Sequence, residues 1–432
     1  MKKLNFLLTL LFVSFASHHA YAKWEQIKTL PATHTVYVAP NGNIICTDFQ
    51  FDFSGGIYYS EDQGETWNKA DVEDYAYNGI IEAGEYIFAS GEYCHIARSR
   101  DNGVTWELLN YAYMLTDVIE EKAVDGDMAY AIAYYNDKLF IADINGGGAM
   151  YSEDFGETWT FTDRESLMYN TGYGLAIDTF YDFNINDGRL LLFGAYFVYR
   201  LNEDNYTWEL LRNDSNFMGV TADCNGNLVC GRSIMNENPS SPFLEYTADG
   251  GSTWNVVPRP YGVIDNNIRA MHAYGNNLIT CTMSKGIYYT NDMGENWTNI
   301  SEGLPYWENP DNSIRVYEIP IAMDSDDDYL YLAIYDEPNS GGGLSGVYRY
   351  SKSDLPTAGI DNTINNFDGV YNDDQYLYFN TAADVTIYNI NGSVVMNANN
   401  RQQINIGNLQ AGIYIYHVVI DNQTVCGKFI KQ

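Results

Sequence analysis

One short motif recurs along this chain of 432 residues, and its repetition restricts the fold more than any other feature. The motif has the form Ser/Thr-x-Asp-x-Gly-x-Thr-Trp, with Asn once in place of the second Thr. Its five good copies end at Trp67, Trp106, Trp159, Trp254 and Trp297. An eroded copy ends at Trp208, and consecutive tryptophans are 39 to 53 residues apart. Such a period is typical of repeated antiparallel β-sheets of about four strands each.

A β-hairpin pattern precedes each copy. Two runs of β-forming residues flank a polar turn, as at Asn41-Gly42 and Asn225-Gly226-Asn227, and seven such hairpins follow one another. The seventh, around Asp324, has no Trp strand after it, whereas the N-terminal Trp24-Glu25-Gln26-Ile27 resembles the strand at Trp106. We therefore predict an all-β fold, a seven-bladed β-propeller over residues 23–355. The N-terminal strand would complete the last blade and remove an open sheet edge.

The repeated motif resembles the Asp box, or BNR repeat, of sialidases, xyloglucanases, sortilin-type receptors and photosystem assembly factors. In such a turn the Asp and Ser side chains hydrogen-bond the local backbone, Gly takes a positive φ and Trp packs between sheets. The resemblance therefore implies structural rather than catalytic roles for the motif residues. These are Asp62, Trp67, Asp101, Trp106, Asp154, Trp159, Asp249, Trp254, Asp292 and Trp297.

The N-terminus has the pattern of an export signal. Lys2 and Lys3 precede an apolar run to about Ala16, and Ala20-Tyr21-Ala22 is a small-residue cleavage site. We predict a signal peptide over residues 1–22. No other segment approaches the roughly 20 apolar residues of a transmembrane helix, so we expect no transmembrane segment in the mature protein.

The C-terminal residues predict a separate small domain. A polar stretch after Leu355 predicts a linker over residues 356–367, and short β-rich runs separated by turns predict a β-sandwich over residues 368–432.

This tail resembles the type A sorting domain of the type IX secretion system of Bacteroidetes. The resemblance rests on motifs that contain Gly392, Gly412, Tyr414 and Lys428. It implies the type IX secretion machinery as a partner, passage to the periplasm by the signal peptide, and transport across the outer membrane by the tail. In that family the tail is usually cleaved, followed by release or by attachment at the cell surface. The motifs leave both outcomes open.

Charge and cysteine content exclude some functions. The formal net charge of −34 predicts repulsion from phosphate backbones, so we expect no nucleic-acid partner. Six cysteines in a chain of this length do not make a disulfide framework. Cys46, Cys230 and Cys281 occupy one site of a repeated strand and are predicted core residues. Cys224 and Cys230 would form a disulfide if they faced each other across their hairpin.

Neither a cofactor nor a metal is predicted. The mature chain lacks the His and Cys spacings of transition-metal sites. The acidic run from Asp324 to Asp328 lacks the Gly and the terminal Glu of a calcium loop, and we interpret it as a solvated turn.

Loops opposite the Asp boxes usually carry the site of a propeller. The acids, arginines, aromatic residues and histidine there are the binding candidates, namely Glu92, His95, Arg164, Arg259, Tyr261, Arg269, Trp307 and Arg315. A sialidase needs three arginines around its substrate carboxylate, and only Arg269 and Arg315 occupy suitable positions, so we do not expect sialidase activity.

Two functions remain open. We favour an exported propeller, at the cell surface or released, that binds glycan or protein through this face, because no catalytic constellation is evident. The alternative is a carbohydrate-active enzyme, a glycosidase or polysaccharide lyase, with carboxylates in the channel mouth.

Overall fold

The structure, a computed structural model, describes residues 23–49, 55–91, 95–110, 129–143, 148–170, 175–177, 180–213, 220–231, 242–260, 263, 267–283, 285–308, 315–335, 344–356, 370–372, 376–389, 393–410, 412–420 and 423–431. The predicted signal peptide, and all of the predicted linker except Pro356, lie outside these residues. Within the described ranges, no helix has the length and apolar character needed to cross a bilayer.

The described chain forms seven consecutive four-stranded antiparallel sheets. Sheet 1 contains β2 (Thr33–Val38), β3 (Ile44–Phe49), β4 (Gly55–Ser60) and β5 (Asn68–Lys69). Sheet 2 contains β6 (Tyr77–Ala83), β7 (Tyr86–Gly91), β8 (His95–Ser99) and β9 (Glu107–Asn110). Sheet 3 contains β10 (Ala129–Tyr135), β11 (Lys138–Asp143), β12 (Ala149–Ser152) and β13 (Thr160–Phe161). Sheet 4 contains β16 (Phe180–Asn186), β17 (Arg189–Gly194), β18 (Val198–Asn202) and β19 (Thr207–Arg212).

The remaining sheets repeat this order. Sheet 5 contains β20 (Val220–Cys224), β21 (Asn227–Gly231), β22 (Leu244–Thr247) and β23 (Asn255–Val257). Sheet 6 contains β24 (Ile268–Tyr274), β25 (Asn277–Thr282), β26 (Ile287–Thr290) and β27 (Thr298–Asn299). Sheet 7 contains β30 (Ile319–Ser325), β31 (Tyr329–Tyr335), β32 (Gly346–Ser351) and, in the fourth position, β1 (Glu25–Thr29).

Short elements join some sheets. A 3-10 helix (Arg164–Leu167) and a pair of strands, β14 (Met168–Asn170) and β15 (Leu175–Ile177), connect sheets 3 and 4. A second pair, β28 (Tyr306–Glu308) and β29 (Arg315–Tyr317), connects sheets 6 and 7, and a 3-10 helix (Lys352–Asp354) follows sheet 7.

Apolar packing between neighbouring sheets forms the core of this domain. The buried residues form one cluster at each of seven interfaces, including the interface between sheets 7 and 1, where Tyr331 and Val347 meet Val36 and Cys46. Because the second strand of each sheet has a neighbouring sheet on both sides, its residues are buried on both faces. All six residues of β7 are buried in this way.

The N-terminal strand lies against the last sheet. Glu25 pairs with Arg349 and Gln26 with Tyr348, which makes β1 the outer neighbour of β32. Trp24 is 2% exposed, and its indole Nε1 donates to the carbonyl of Ile300 at 2.7 Å, at the interface of sheets 6 and 7. This strand therefore contributes both hydrogen bonds and a core side chain at the junction of the two ends of the repeat.

The C-terminal residues form a five-stranded antiparallel sheet. Its strands are β33 (Val370–Asn372), β34 (Tyr376–Asn389), β35 (Val394–Asn405), β36 (Gly412–Ile420) and β37 (Gln423–Lys431). Their order is β33-β34-β36-β37, with β35 also paired to β34. The strand β34 is 14 residues long, and one sheet face buries a cluster that includes Leu377, Ile387 and Tyr416.

The suggested disulfide between Cys224 and Cys230 is wrong, because both thiols are free. Cys224 pairs with Asn227, whereas Cys230 pairs with Thr221, so the two cysteines do not face each other. Cys224 packs between sheets 5 and 6, and Cys230 packs between sheets 4 and 5. The predicted core positions of Cys46, Cys230 and Cys281 are confirmed, since each is at most 1% exposed.

Candidate functional site

The strand order gives the domain two different faces. Sheets 1 to 6 are antiparallel meanders, so their turns between strands 1 and 2 and between strands 3 and 4 lie at one end. The loops between strands 2 and 3 and the connections between sheets lie at the other end. We call the first end the Asp-box face and the second the loop face.

The Asp boxes hydrogen-bond their own turns. In the first box, Asp62 accepts from the backbone N–H of Thr66 at 2.8 Å and from its hydroxyl at 2.6 Å. Ser60 Oγ accepts from the N–H of Gly64 at 2.8 Å, and the indole of Trp67 donates to the carbonyl of Gly64 at 2.9 Å. The boxes at Asp101 and Asp249 repeat these distances within about 0.1 Å. These carboxylates are therefore already hydrogen-bonded within their own turns.

The pKa values of the Asp-box carboxyl groups agree with this geometry. Hydrogen bonds from the backbone and side chain of Thr253 lower the pKa of Asp249 to about 2. Bonds from the Thr66 side chain and backbone lower the pKa of Asp62 in the same way. Each carboxylate stays ionised and bound to its turn, so none is available as a proton donor at neutral pH.

Three arginines tie neighbouring sheets together, and the sequence analysis missed them. Arg98, Arg200 and Arg349 each donate from Nη1 to a backbone carbonyl just before the box glycine of the following sheet, at 3.0, 3.4 and 2.9 Å. Arg98 and Arg349 also pair with Glu157 and Glu65 of those boxes at 2.5 and 3.1 Å. Each arginine directly precedes the residue at the Ser position of its repeat. This shared position in the sequence could have identified all three arginines.

The sequence-predicted binding candidates lie at separate points around the ring. The ring of His95, at the start of β8, stacks on Tyr75 with 3.6 Å between centroids. Arg164 opens the 3-10 helix after sheet 3, with its guanidinium 5.8 Å from the Phe161 ring centre. Arg259, between sheets 5 and 6, donates to the carbonyl of Val263 at 3.2 Å.

The other candidates divide into three groups. Trp307 and Arg315 share the strand pair β28–β29, where Glu308 pairs with Arg315. Arg269 lies on β24, the first strand of sheet 6. Glu92 and Tyr261 lie outside the described residues.

The acidic run is only partly a solvated turn. Asp324 lies on β30 and accepts from the backbone N–H of Val38 in sheet 1 at 2.7 Å, so its interpretation as part of a solvated turn is wrong. Asp326 does cap the turn, since it accepts from the N–H groups of Asp328 and Tyr329. In the described part of the chain, no set of His, Cys, Asp and Glu side chains is arranged to hold a metal ion.

The first strands contact one another around the ring and line a central channel. In six of the seven, the register with the second strand shifts by one residue near the loop face. Each shift leaves one extra residue, which defines a β-bulge. We call these residues the bulge ring, namely His34, Asn78, Tyr130, Tyr181, Arg269 and Ile321.

An exposed aromatic side chain, Tyr196, lies on the loop face in the loop between strands 2 and 3 of sheet 4. Tyr169 of β14 lies 4.8 Å from Phe197 and 6.1 Å from Tyr196 between ring centres. Tyr196 is 48% exposed and the neighbouring Met168 is 40% exposed. We call Met168, Tyr169, Tyr196 and Phe197 the aromatic shelf. It joins the β14–β15 pair to the loop between strands 2 and 3 of sheet 4.

Two carboxyl groups on the first strands have raised pKa values. Burial raises the pKa of Asp182 to about 7, although its carboxylate accepts from the Thr221 hydroxyl at 2.5 Å. Burial likewise raises the pKa of Asp324 to about 6. Asp182 is near the loop-face end of sheet 4, whereas Asp324 is near the Asp-box end of sheet 7. They lie at opposite ends of the channel and do not form a catalytic pair.

Two family matches agree with the repeats and the tail. Residues 371–432 match the secretion system C-terminal sorting domain, and residues 58–69 match the BNR/Asp-box repeat. The tail is a type IX sorting domain, which indicates export and a location outside the cell or at its surface. No curated protein matches this sequence.

Solved structures with a similar fold are β-propellers. YCF48 bound to D1 peptide is 15% identical, with a TM-score of 0.51 over 77% of this chain and 97% of that chain. YCF48 from Cyanidioschyzon merolae is 13% identical, with a TM-score of 0.50 over 78% and 100%. The extracellular domain of the hybrid two-component system BT4673 from B. thetaiotaomicron is 10% identical, with a TM-score of 0.51 over 95% and 59%. At these identities the likeness shows the fold alone.

Proposed function

We propose that this exported Asp-box β-propeller, which carries a type IX sorting domain, binds an extracellular glycan or protein through its loop face. The observation that carries the proposal is the aromatic shelf, where Tyr196 is 48% exposed and Met168 is 40% exposed. Large apolar and aromatic groups at one surface site are typical of recognition surfaces. On the Asp-box face, the repeated Asp side chains are hydrogen-bonded to their own turns.

The proposal includes the arrangement of the whole chain. Seven sheets and seven apolar interfaces support seven blades over residues 23–355, closed by β1. A linker over residues 356–367 would separate them from a sandwich over residues 368–432. The sandwich is supported by the single cluster that both halves of β34 share, with Leu377 and Ile387 as members. The processing of this tail after export would determine whether the protein is released or stays at the cell surface.

An experiment on the mature full-length chain tests the binding function. Wild-type protein is applied to an oligosaccharide array and to a peptide array, and hits are measured by titration calorimetry. The double variant Met168→Ala, Tyr196→Ala should weaken binding by about tenfold or more without a change in Tm, because it removes contact area but no core. Leu210→Ala is the matched control, since Leu210 is 52% exposed on the outer strand of sheet 4. Unchanged binding by the double variant would rule out the shelf as the contact surface.

Asp182 favours a second candidate function, a glycoside hydrolase. A carboxyl group with a pKa of about 7 is about half protonated at pH 7, which is a property of a general acid. The test is reducing-sugar release from a panel of polysaccharides by wild-type and Asp182→Asn protein. Turnover that is lost in the variant, with an alkaline limb near pH 7 in the wild type, would support hydrolysis. Absence of turnover across the panel would eliminate it.

A further inference from the structure

A serine, a histidine and an aspartate meet at the Asp-box end of the channel, between sheets 6 and 7. His272 lies near the end of β24, and Asp324 and Ser325 are the last two residues of β30. The Nε2 of His272 lies 2.8 Å from the hydroxyl oxygen of Ser325, and its Nδ1 lies 3.9 Å from Oδ1 of Asp324. We call these three residues the Ser–His–Asp cluster.

Neighbouring elements fix the cluster in place. The carboxylate of Asp324 accepts from the backbone N–H of Val38 at 2.7 Å and from that of Ser325 at 2.8 Å. Lys352 lies beside it, with its Nζ 3.7 Å from the centre of the Tyr274 ring. The side chains of His272 and Asp324 are 17% and 24% exposed, and Ser325 is also partly exposed. A small molecule can therefore reach the cluster from the solvent.

The repeated fold does not require a histidine at this position. His272 is the third residue from the end of its first strand. The residues at the same position of the other six first strands are Val36, Ile81, Ala133, Asn184, Ala222 and Met323, of which five are apolar. A largely buried imidazole costs more to place there than an apolar side chain does. Such a departure from the pattern of a repeat is typical of a functional position.

The charges of the cluster suit proton transfer from Ser325. Burial lowers the pKa of His272 to about 4, so its ring is neutral at pH 7. Burial raises the pKa of Asp324 to about 6, so this carboxyl group is mostly ionised above pH 7. A carboxylate near Nδ1 favours the tautomer with its proton on that nitrogen, which leaves Nε2 free to accept from the Ser325 hydroxyl.

We propose that the Ser–His–Asp cluster is a nucleophilic site that hydrolyses small, uncharged carboxylic esters. Ser325 Oγ forms a bond to the carbonyl carbon of the ester, and its proton moves to Nε2 of His272. The bond to the alcohol oxygen breaks, and the alcohol leaves with that proton. Water then attacks the acyl-serine in the same manner, which releases the carboxylic acid and restores the hydroxyl. Asp324 is a positioning residue that stabilises the charged imidazole. This site lies on the face opposite the aromatic shelf and does not depend on the binding proposed there.

The geometry also limits the substrate class. A separation of 3.9 Å is longer than a hydrogen bond, so Asp324 stabilises the charged imidazole less than a bonded carboxylate would. Esters suit such a site better than amides do, because an alcohol leaves more readily than an amine. The cluster is largely buried, which favours a small acyl group. The net charge of −34 disfavours anionic substrates.

A fluorophosphonate probe tests the nucleophile on the mature full-length chain. The probe bonds covalently to an activated serine oxygen with loss of fluoride, and mass spectrometry of peptides identifies the modified residue. We expect labelling of Ser325, which Ser325→Ala removes. His272→Gln should slow the labelling by about 100-fold or more, because Gln cannot take up the proton. Gln keeps a hydrogen-bond donor near the Ser325 oxygen, so Tm should change little.

Ser353→Ala is the matched control. Ser353 follows sheet 7, is exposed, and its hydroxyl is bonded to that of Ser351 at 2.8 Å rather than to an imidazole. This variant should be labelled at Ser325 at the wild-type rate. Hydrolysis of p-nitrophenyl acetate should follow the same order among the variants. In Asp324→Asn, kcat should fall by about tenfold or more with KM unchanged.

Labelling of Ser325 that depends on His272, together with ester hydrolysis that follows it, supports the proposal. Absence of label on Ser325 would overturn it. Equal labelling rates in the wild type and in His272→Gln would also overturn it, since they would show that the bond between the two side chains only joins sheets 6 and 7. An unchanged kcat in Asp324→Asn would overturn the arrangement of three residues.

Discussion

Arg349 connects three segments at the junction between the last sheet and the first. Its Nε lies 2.5 Å from Glu25 of β1, its Nη2 lies 3.1 Å from Glu65, and its Nη1 donates to the carbonyl of Gln63. The side chain is only 15% exposed. Strand β1 belongs to sheet 7 and continues into β2 of sheet 1, so the chain itself joins these two sheets. Arg349 adds side-chain contacts from β32 to β1 and to the first Asp box at this junction.

Replacing Arg349 with Ala should lower the free energy of unfolding by about 1 to 3 kcal/mol, since it removes three hydrogen bonds from a largely buried cation while both glutamates remain solvated. Urea unfolding followed by tryptophan fluorescence measures the change. Arg100→Ala is the control. Its side chain is 64% exposed and pairs with Glu85 at the surface, so a change within about 0.5 kcal/mol is expected. Equal effects of the two substitutions would refute the stabilising role of Arg349 at this junction.

Asp182→Asn should stabilise the protein at pH 8 but not near pH 4. Burial raises the pKa of Asp182 to about 7, whereas an unfolded Asp ionises near 3.9. Between these values the folded chain binds more protons than the unfolded chain, so wild-type stability falls as pH rises from about 4 to about 7. At 1.36 kcal/mol per pKa unit, the gain of the variant at pH 8 is at most about 4 kcal/mol.

Chemical denaturation of both proteins from pH 4.5 to pH 8 measures this difference. Asp249→Asn is an opposite control, because hydrogen bonds from Thr253 lower the pKa of Asp249 to about 2. This group contributes stability that is present above pH 4 and is lost as pH falls toward 2, so its removal should destabilise the protein at pH 8. A constant difference between Asp182→Asn and wild type across the pH range would exclude the predicted titration.

Residues whose partners are local were the ones that the sequence predicted well. Ser60, Asp62 and Gly64 interact within one turn, so the motif residues alone determine these hydrogen bonds. The role of Arg98 in joining sheets 2 and 3 was not predicted, because its partners Phe155 and Glu157 belong to the neighbouring sheet. The sequence also did not show that Phe155, before a box glycine, takes a φ of 56°.

The N-terminal strand is the element on which the closed arrangement depends. Trp24 is 2% exposed and joins the cluster between sheets 6 and 7, where its ring lies 5.3 Å from that of Tyr350. Its backbone N–H donates to the carbonyl of Glu302. The strand that follows covers the outer edge of β32.

Trp24→Ala should lower the free energy of unfolding by about 3 to 5 kcal/mol, because it leaves a cavity and loosens the strand that covers β32. Trp297→Ala is the matched control. Trp297 is only partly buried, and its indole donates to the carbonyl of Pro258 at the surface, so a smaller loss is expected. Equilibrium unfolding gives the energies, and light scattering reports association through the uncovered edge. A Trp24→Ala protein as stable as the Trp297→Ala protein would contradict this role of the strand.

Elements stabilised by repeated patterns were predicted, and elements stabilised only by their surroundings were not. The four-stranded sheets follow from alternating runs and polar turns. The three-residue strands β14 and β28 are too short to form alone and depend on the sheets beside them. For the same reason the sequence pointed to separate loop residues such as Arg164 and did not reveal the aromatic shelf.

Net charge acts on the molecule as a whole. Asp and Glu number 57 and Lys and Arg number 23, which leaves a net charge of −34 spread over the fold. Like charges at this density repel one another more in the compact state than in the expanded unfolded chain. The ion pairs of Arg98 and Arg349 oppose this repulsion, but they involve few of the acids.

Moderate salt should therefore stabilise the protein. Raising NaCl from 10 to 300 mM shortens the screening length from about 30 Å to less than about 8 Å, which weakens long-range repulsion more than contacts at 2.5 to 3.1 Å. We expect Tm at pH 7.5 to rise by several degrees over this range in calorimetry. Sucrose at matched osmolality is the control, because it does not screen charge. At pH 4.5, where many carboxylates become protonated, the same salt step should raise Tm less. A Tm that falls with NaCl at pH 7.5 would show that the arginine ion pairs, and not the excess of acids, dominate the electrostatics of the folded molecule.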